Sequence, residues 1–112
     1  MQIMSSFRKT RDALIKDLES NSFIVQPWRS YGRGVDVKQI CYRYNGELRF
    51  TGDIITTSQG VDVLAYRSER RDEMKSIAQL HCRRVVDEPT SFRAVDDYLI
   101  ELGITKPAPA AH

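Results

Sequence analysis

Apolar runs in this sequence end after four or five residues, far short of the roughly 20 that a membrane-spanning helix requires. The opening MQIMSSFRKTRD has no hydrophobic signal core, so the chain is expected to be cytoplasmic and without a membrane partner. Cysteine is scarce as well: Cys41 and Cys82 are the only two, and they form neither a disulfide framework nor a metal-binding spacing. Each is expected as a buried free thiol. Nor do His81, Cys82 and His112 compose a zinc centre, because closed zinc sites take four ligands, usually in spaced pairs. The glycines of YGRGVD lack the strand-to-helix setting and the Lys-Ser or Lys-Thr pair of a phosphate-binding loop. His81, on an apolar helix face, has no Ser or Cys evidently paired with it as a nucleophile. No metal, cofactor or catalytic residue is therefore expected. A large excess of one charge is also missing, since a net +2 does not by itself argue for nucleic acid.

What remains is an ordinary globular composition. The 112 residues, 41% hydrophobic and 29% charged, fit one domain with room for one core. Charge is uneven along the chain, with nine Lys/Arg against five Asp/Glu in residues 1–50 and two against five in residues 87–112. A basic start and an acidic end could steer a charged partner or a second copy; Asp96, Asp97 and Glu101 read as a solvated helix face, or alternatively as meeting Arg8, Lys9 and Arg11 of another copy in a homodimer.

Residues 1–105 read as a single α+β domain and the Pro/Ala-rich residues 106–112 as a disordered tail. Phe7, Leu14, Ile15 and Leu18 recur at helical spacing in SSFRKTRDALIKDLES, with Ser5 or Ser6 as N-cap. SFIVQPW then reads as a short strand ended by Pro27, and YGRG as a turn. VDVKQICYRY, the Asn45-Gly46 dipeptide and ELRFT predict a β-hairpin with a two-residue turn. Gly52-Asp53 suggests a bend, followed by strands DIITT and VDVLAYR, so the sheet is an antiparallel meander of four or five strands. ERRDEMKSIAQLHCRRVVDE reads as one helix stopped by Pro89, with Met74, Ile77, Ala78, His81 and Val85 on one side. A third helix has its seam at Phe92, Val95, Leu99 and Leu102. Thr90 or Ser91 is its cap, and Gly103 with Ile104 closes it in a Schellman motif.

The hairpin turn pairs Tyr44 with Glu47, Tyr42 with Arg49 and Ile40 with Thr51 on one face, and Arg43 with Leu48 and Cys41 with Phe50 on the other. If all the helices cover the face of Cys41, Leu48 and Phe50, the opposite face is open and carries Lys38, Tyr42, Tyr44 and Arg49. Trp28, Arg29, Tyr31 and Arg33 would join it from the opening loop. Aromatic planes interleaved with cations suit single-stranded nucleic acid, whose bases stack at ~1–3 kcal/mol each while Arg and Lys neutralise phosphate. The expected function is a small non-enzymatic binding or regulatory protein with nucleic acid as first partner. The alternative is a protein-binding adaptor or inhibitor in which the same Trp, Tyr and Arg are hot spots.

Two stretches resemble parts of the pattern of the PD-(D/E)xK nucleases, in which carboxylates hold a divalent ion and a Lys helps activate water. They are Asp36-Val37-Lys38, and Asp62 with Glu73-Met74-Lys75. No acidic residue lies between Asn21 and Val35 to partner the first, and the second triplet falls in a helical run. A degenerate nuclease-like fold is the third alternative that this resemblance implies.

Overall fold

The structure, a computed structural model, describes residues 2–32 and 34–105, with side chains from Phe7 onward. Helix α1 (Gln2–Ser20) leads into an antiparallel meander of β1 (Ile24–Gly32), β2 (Val35–Tyr44), β3 (Glu47–Thr57) and β4 (Gly60–Tyr66). Helix α2 (Arg71–Ala78), strand β5 (Arg84–Glu88) and helix α3 (Ala94–Glu101) complete the chain. The five strands lie in sequence order, with β5 parallel to β4. The chain is an α+β domain, as its pattern predicts.

The helices do not share one face. Leu14 and Leu18 of α1 and Met74 and Ile77 of α2 pack with Ile40, Tyr42, Ile54 and Val63 on one side of the sheet. Val95, Tyr98 and Leu99 of α3 pack with Val37, Ile55, Leu64 and Tyr66 on the other. The expectation of one fully open face is therefore corrected. The strand sequences themselves carry the reason: β4 is GVDVLAY, buried along its whole length, which is the continuous apolar run of a strand covered on both sides rather than the alternation of a half-exposed one.

Two element boundaries also differ from the sequence reading. The long helix expected from Glu69 to Glu88 stops at Ala78, and Arg84–Glu88 forms β5. Ile77, Ala78, His81 and Val85 mimic a helical period, yet a parallel strand needs a crossover of about a dozen residues, and α2 with its flanks supplies it. Gly52-Asp53 does not end a strand: β3 continues through it, with a ladder irregularity one residue earlier. Gly52 serves close approach instead: a Cβ there would sit 2.7 Å from the Leu64 carbonyl oxygen and 3.0 Å from Met74 Cε. A Gly52→Ala variant should lose about 1–3 kcal/mol through this overpacking, measured by urea denaturation.

Other local cues match, although Phe92, expected in the seam of α3, precedes that helix and is 78% exposed. Helix α1 ends at Ser20 and buries Leu14 and Leu18, although it begins before the Ser5 and Ser6 expected to cap it. The Asn45-Gly46 turn joins β2 to β3, with both residues at positive φ. At the end of α3, the Gly103 N–H donates to Ile100 O and the Ile104 N–H to Leu99 O at 3.0 Å, the expected Schellman pair. At its other end the cap is Arg93, in the left-handed region, and not Thr90 or Ser91. Residues 106–112, read as a tail, lie outside the described residues.

Candidate functional site

The stretch QPWRSYG is not a loop but seven of the nine residues of edge strand β1. An edge tolerates Pro27, which has no N–H to donate to a ladder. The β1–β2 register shifts twice, between Pro27 and Arg29 and between Ser30 and Gly32. Trp28 and Tyr31 are the extra residues of these two irregularities, and such bulges re-aim side chains at sheet edges. Trp28 is consequently 40% exposed. Tyr31 turns to α3 and donates to Asp96 Oδ1 at 2.8 Å. Burial, then this hydrogen bond, pushes the Tyr31 hydroxyl up to about 12.

A third irregularity matters more. The pairs Cys41–Phe50, Tyr42–Arg49, Arg43–Leu48 and Tyr44–Glu47 stand as predicted, but Ile40 faces Gly52 and not Thr51. Thr51 is the inserted residue, its hydroxyl 2.6 Å from that of Ser68. Residues three apart point to opposite faces of a regular strand. With Thr51 bulged, Phe50 and Asp53 share the α3 side, where Phe50 packs on Tyr66 at 5.1 Å and Asp53 Oδ2 accepts from the Tyr66 hydroxyl at 2.5 Å.

This side of β1, β2 and β3 extends beyond α3 and holds a cavity of about 320 Å³, walled by Trp28, Cys41, Leu48 and Phe50 and reached by Arg49 and Ser91. Its polar base is a row across three strands, because Gln26 pairs with Gln39 and Gln39 with Asp53 in the ladder. Gln26 Nε2 donates to Gln39 Oε1 at 3.1 Å. Asp53 is 1% exposed, and its Oδ1 has no hydrogen-bond partner among the described residues. Burial pushes its carboxyl up to about 6 against the opposing pull of the Tyr66 hydrogen bond. Burial, and next the Asp53 charge, also raise the Cys41 thiol. A buried acceptor without a hydrogen bond costs stability.

The expected binding residues divide between the two faces. Trp28 and Arg29 come together on the α3 side, with the Arg29 guanidinium 4.3 Å from the Trp28 ring centroid and 5.7 Å from that of Tyr31. Tyr44, 39% exposed, lies under the Arg49 guanidinium at 5.0 Å. Arg49 also pairs with Glu47 and Glu69. Lys38 and Tyr42 belong elsewhere. Lys38 is half-buried and pairs with Asp36 at 3.9 Å. Tyr42, expected on an open face, is fully buried, its hydroxyl donating to Glu69 Oε1 and accepting from the Glu69 N–H. It is sealed in the α1 and α2 core, against Phe23 at 6.4 Å. Arg33 lies outside the described residues.

Beside Tyr42 a recess of about 370 Å³ is lined by Arg49, Arg67, Ser68 and Glu69. Its Glu69 and Ser68 are already engaged, with Tyr42, Arg49 and Thr51, so it offers fewer open groups than the Asp53 cavity. Next to Trp28, a second recess of about 270 Å³ is bounded by Arg29, Phe92 and Arg93.

The acidic-x-Lys stretches do not converge. Asp36 pairs with Arg11 at 3.2 Å, Glu73 with Arg70 at 2.7 Å and Lys75 with Asp87 at 2.9 Å. Asp62 is enclosed by Arg83 and Tyr98. Among the described residues no three His, Cys, Asp or Glu side chains form a group that could hold a metal ion. His81 is half-buried and lies 2.9 Å from Asp17 Oδ2, and both cysteines are free. Among the described residues no helix is long and apolar enough to cross a membrane.

Sequence reasoning named Trp28, Arg29 and Arg49 but missed Gln26, Gln39, Asp53 and Phe50. Only the buried-strand context of Asp53 between Thr51 and Ile54 could have drawn notice to it. No protein-family model, no curated protein and no solved structure matches this chain.

Proposed function

We infer that this is a small non-enzymatic binding protein whose rim on the α3 side, around Trp28, engages single-stranded nucleic acid. The observation that carries the reading is an exposed Trp28 stacked with Arg29 at the mouth of a cavity. Arg29 and Arg93 flank Trp28 and have no ion-pair partner among the described residues. An aromatic plane offers a base a stacking partner whatever its identity, and uncompensated guanidinium groups beside it suit phosphate. Tyr44 and Arg49 form a similar pair on the Tyr42 side of the hairpin, where Arg49 is ion-paired with Glu47 and Glu69. Arg93 adopts φ 59° and ψ 5°, a conformation that costs a non-glycine residue roughly 1–2 kcal/mol. It sets its own side chain on the wall of the recess.

The test is titration with a single-stranded oligonucleotide over a range of salt concentrations. Affinity should fall linearly in log salt, and Arg29→Ala should reduce the slope by about 0.7, the contribution of one phosphate on a single strand. No binding at low salt overturns the reading. A protein-binding adaptor or inhibitor is the second reading, favoured by Phe92 at 78% and Leu48 at 44% exposure beside the same clefts. Large apolar side chains grouped with Trp and Arg form interface hot spots. That reading predicts an affinity for the partner nearly independent of salt and strongly reduced by Phe92→Ala.

A further inference from the structure

We propose that β5 is a self-association edge: two copies of this chain pair their β5 strands antiparallel, centred on Val86, and join their sheets into one. The proposal stands apart from the nucleic-acid reading above and does not rest on it. Of the two edges of the sheet, β1 is the protected one, with Pro27 inside it and two register shifts along it, devices that keep another strand from adding. Strand β5 has neither. Its register with β4 is regular from Arg84 to Glu88, and among the described residues its backbone makes no hydrogen bond to other backbone beyond that ladder.

Charge selects the register. Opposed residues of an antiparallel pair turn the same edge to each other, so a two-fold pairing is centred on a residue and not between two. Centring on Arg84, Asp87 or Glu88 sets like charges face to face, and centring on Val85 leaves Glu88 beyond the start of the other strand. Centring on Val86 opposes Arg84 to Glu88 at both ends, and opposite charges directly across a ladder stabilise it. Val86 belongs to the α3-side core, so Arg84 and Glu88, two residues to either side, share its face. Neither has an ion-pair partner among the described residues, whereas Asp87 is held by Lys75. The same pairing brings the Leu80 end of one copy alongside the Phe92 end of the other. These two large apolar side chains are 77% and 78% exposed, and each lies four residues beyond an end of β5. Both Trp28 rims then lie on one face of the doubled sheet, which makes the dimer bivalent for whatever Trp28 engages.

The experiment is sedimentation velocity of the full chain at low salt, over concentrations from about 1 to 500 μM. A contact this short falls in the weak class of interfaces, so a monomer–dimer equilibrium with a dissociation constant on the order of ten micromolar is expected. Arg84→Glu and Glu88→Arg each set like charges opposite one another and should each weaken association about tenfold or more. Mixing the two single variants restores opposite charges at both ends and should restore dimerisation, as should the double variant Arg84→Glu/Glu88→Arg. That recovery also shows that the variants are folded. A monomer throughout the range overturns the proposal. So does a dimer indifferent to either single reversal, or one that neither mixing nor the double reversal recovers. Amide hydrogen exchange places the contact: the β5 amides should slow on dimerisation, and slowing at β1 alone overturns the assignment.

Discussion

An Asp53→Asn variant should be more stable than the parent protein at pH 7.5, by up to about 3 kcal/mol, and indistinguishable from it below about pH 4. Asp53 is buried, and burial moves its carboxyl from the ordinary 3.8 up to about 6. A folded-state value above the unfolded one means that the native protein binds the proton more tightly. The stability this proton provides is fully present below about pH 4, is lost as pH rises toward 6, and leaves the largest deficit above that. Two pH units correspond to roughly 3 kcal/mol at 1.36 kcal/mol each. Asparagine keeps an acceptor for the Tyr66 hydroxyl and carries no charge to bury. Glu69, Glu73 and Asp87, all lowered by hydrogen bonds, act in the opposite direction on the whole protein. The difference between variant and parent isolates Asp53 from them. Urea denaturation at pH 4, 5, 6 and 7.5 reads this difference directly.

Replacing Arg83 with Met should cost about 3–5 kcal/mol, while Asp62→Asn should cost only about 1–2 kcal/mol. Arg83 donates from Nε and Nη2 to both oxygens of Asp62, at 3.0 and 2.6 Å, and the Tyr98 hydroxyl donates to Oδ2 at 2.7 Å. Asp62 is 0% exposed, whereas the Arg83 side chain is 31% exposed. Taking away Arg83 therefore strands a carboxylate in the interior with one hydrogen bond. Taking away the Asp62 charge frees a guanidinium that can turn to water. The triad ties the start of β5 and helix α3 to β4. Loss of Arg83 should accordingly loosen α3, visible as faster amide hydrogen exchange at Tyr98 and Leu99. Equal costs for the two variants would mean that the pair is wetter than its geometry implies.

Much of the fold was legible in the chain because its cues are local. The spacing of Leu14, Ile15 and Leu18 gives α1, Asn45-Gly46 gives the hairpin and its register, and Gly103-Ile104 gives the end of α3. What was not legible is set by tertiary context. Val85 sits equally well on a helical period and on a strand, and only the free edge of β4 selects the strand. The side of the sheet that each helix takes is not written in any one helix.

The candidate site was lost through one residue. Bulging of Thr51 puts Phe50 and Asp53 on the same face, and simple alternation cannot foresee that. Tyr42 shows the converse: its pairing with Arg49 was right, but its face lies under α1 and α2. Trp28, Arg29 and Arg49 stood out by residue type alone and are the part of the site that a sequence can supply.

Ligand should enter on the α3 side of the sheet, around Trp28 and over the row Gln26, Gln39 and Asp53. Amide chemical-shift mapping during titration with a single-stranded oligonucleotide reads this residue by residue. Shifts should concentrate at Trp28, Arg29, Gln39 and Phe50, with α1 unmoved. Shifts confined to the Arg8 and Lys9 face of α1, or to the Glu69 recess, with the Trp28 side silent, would rule this surface out.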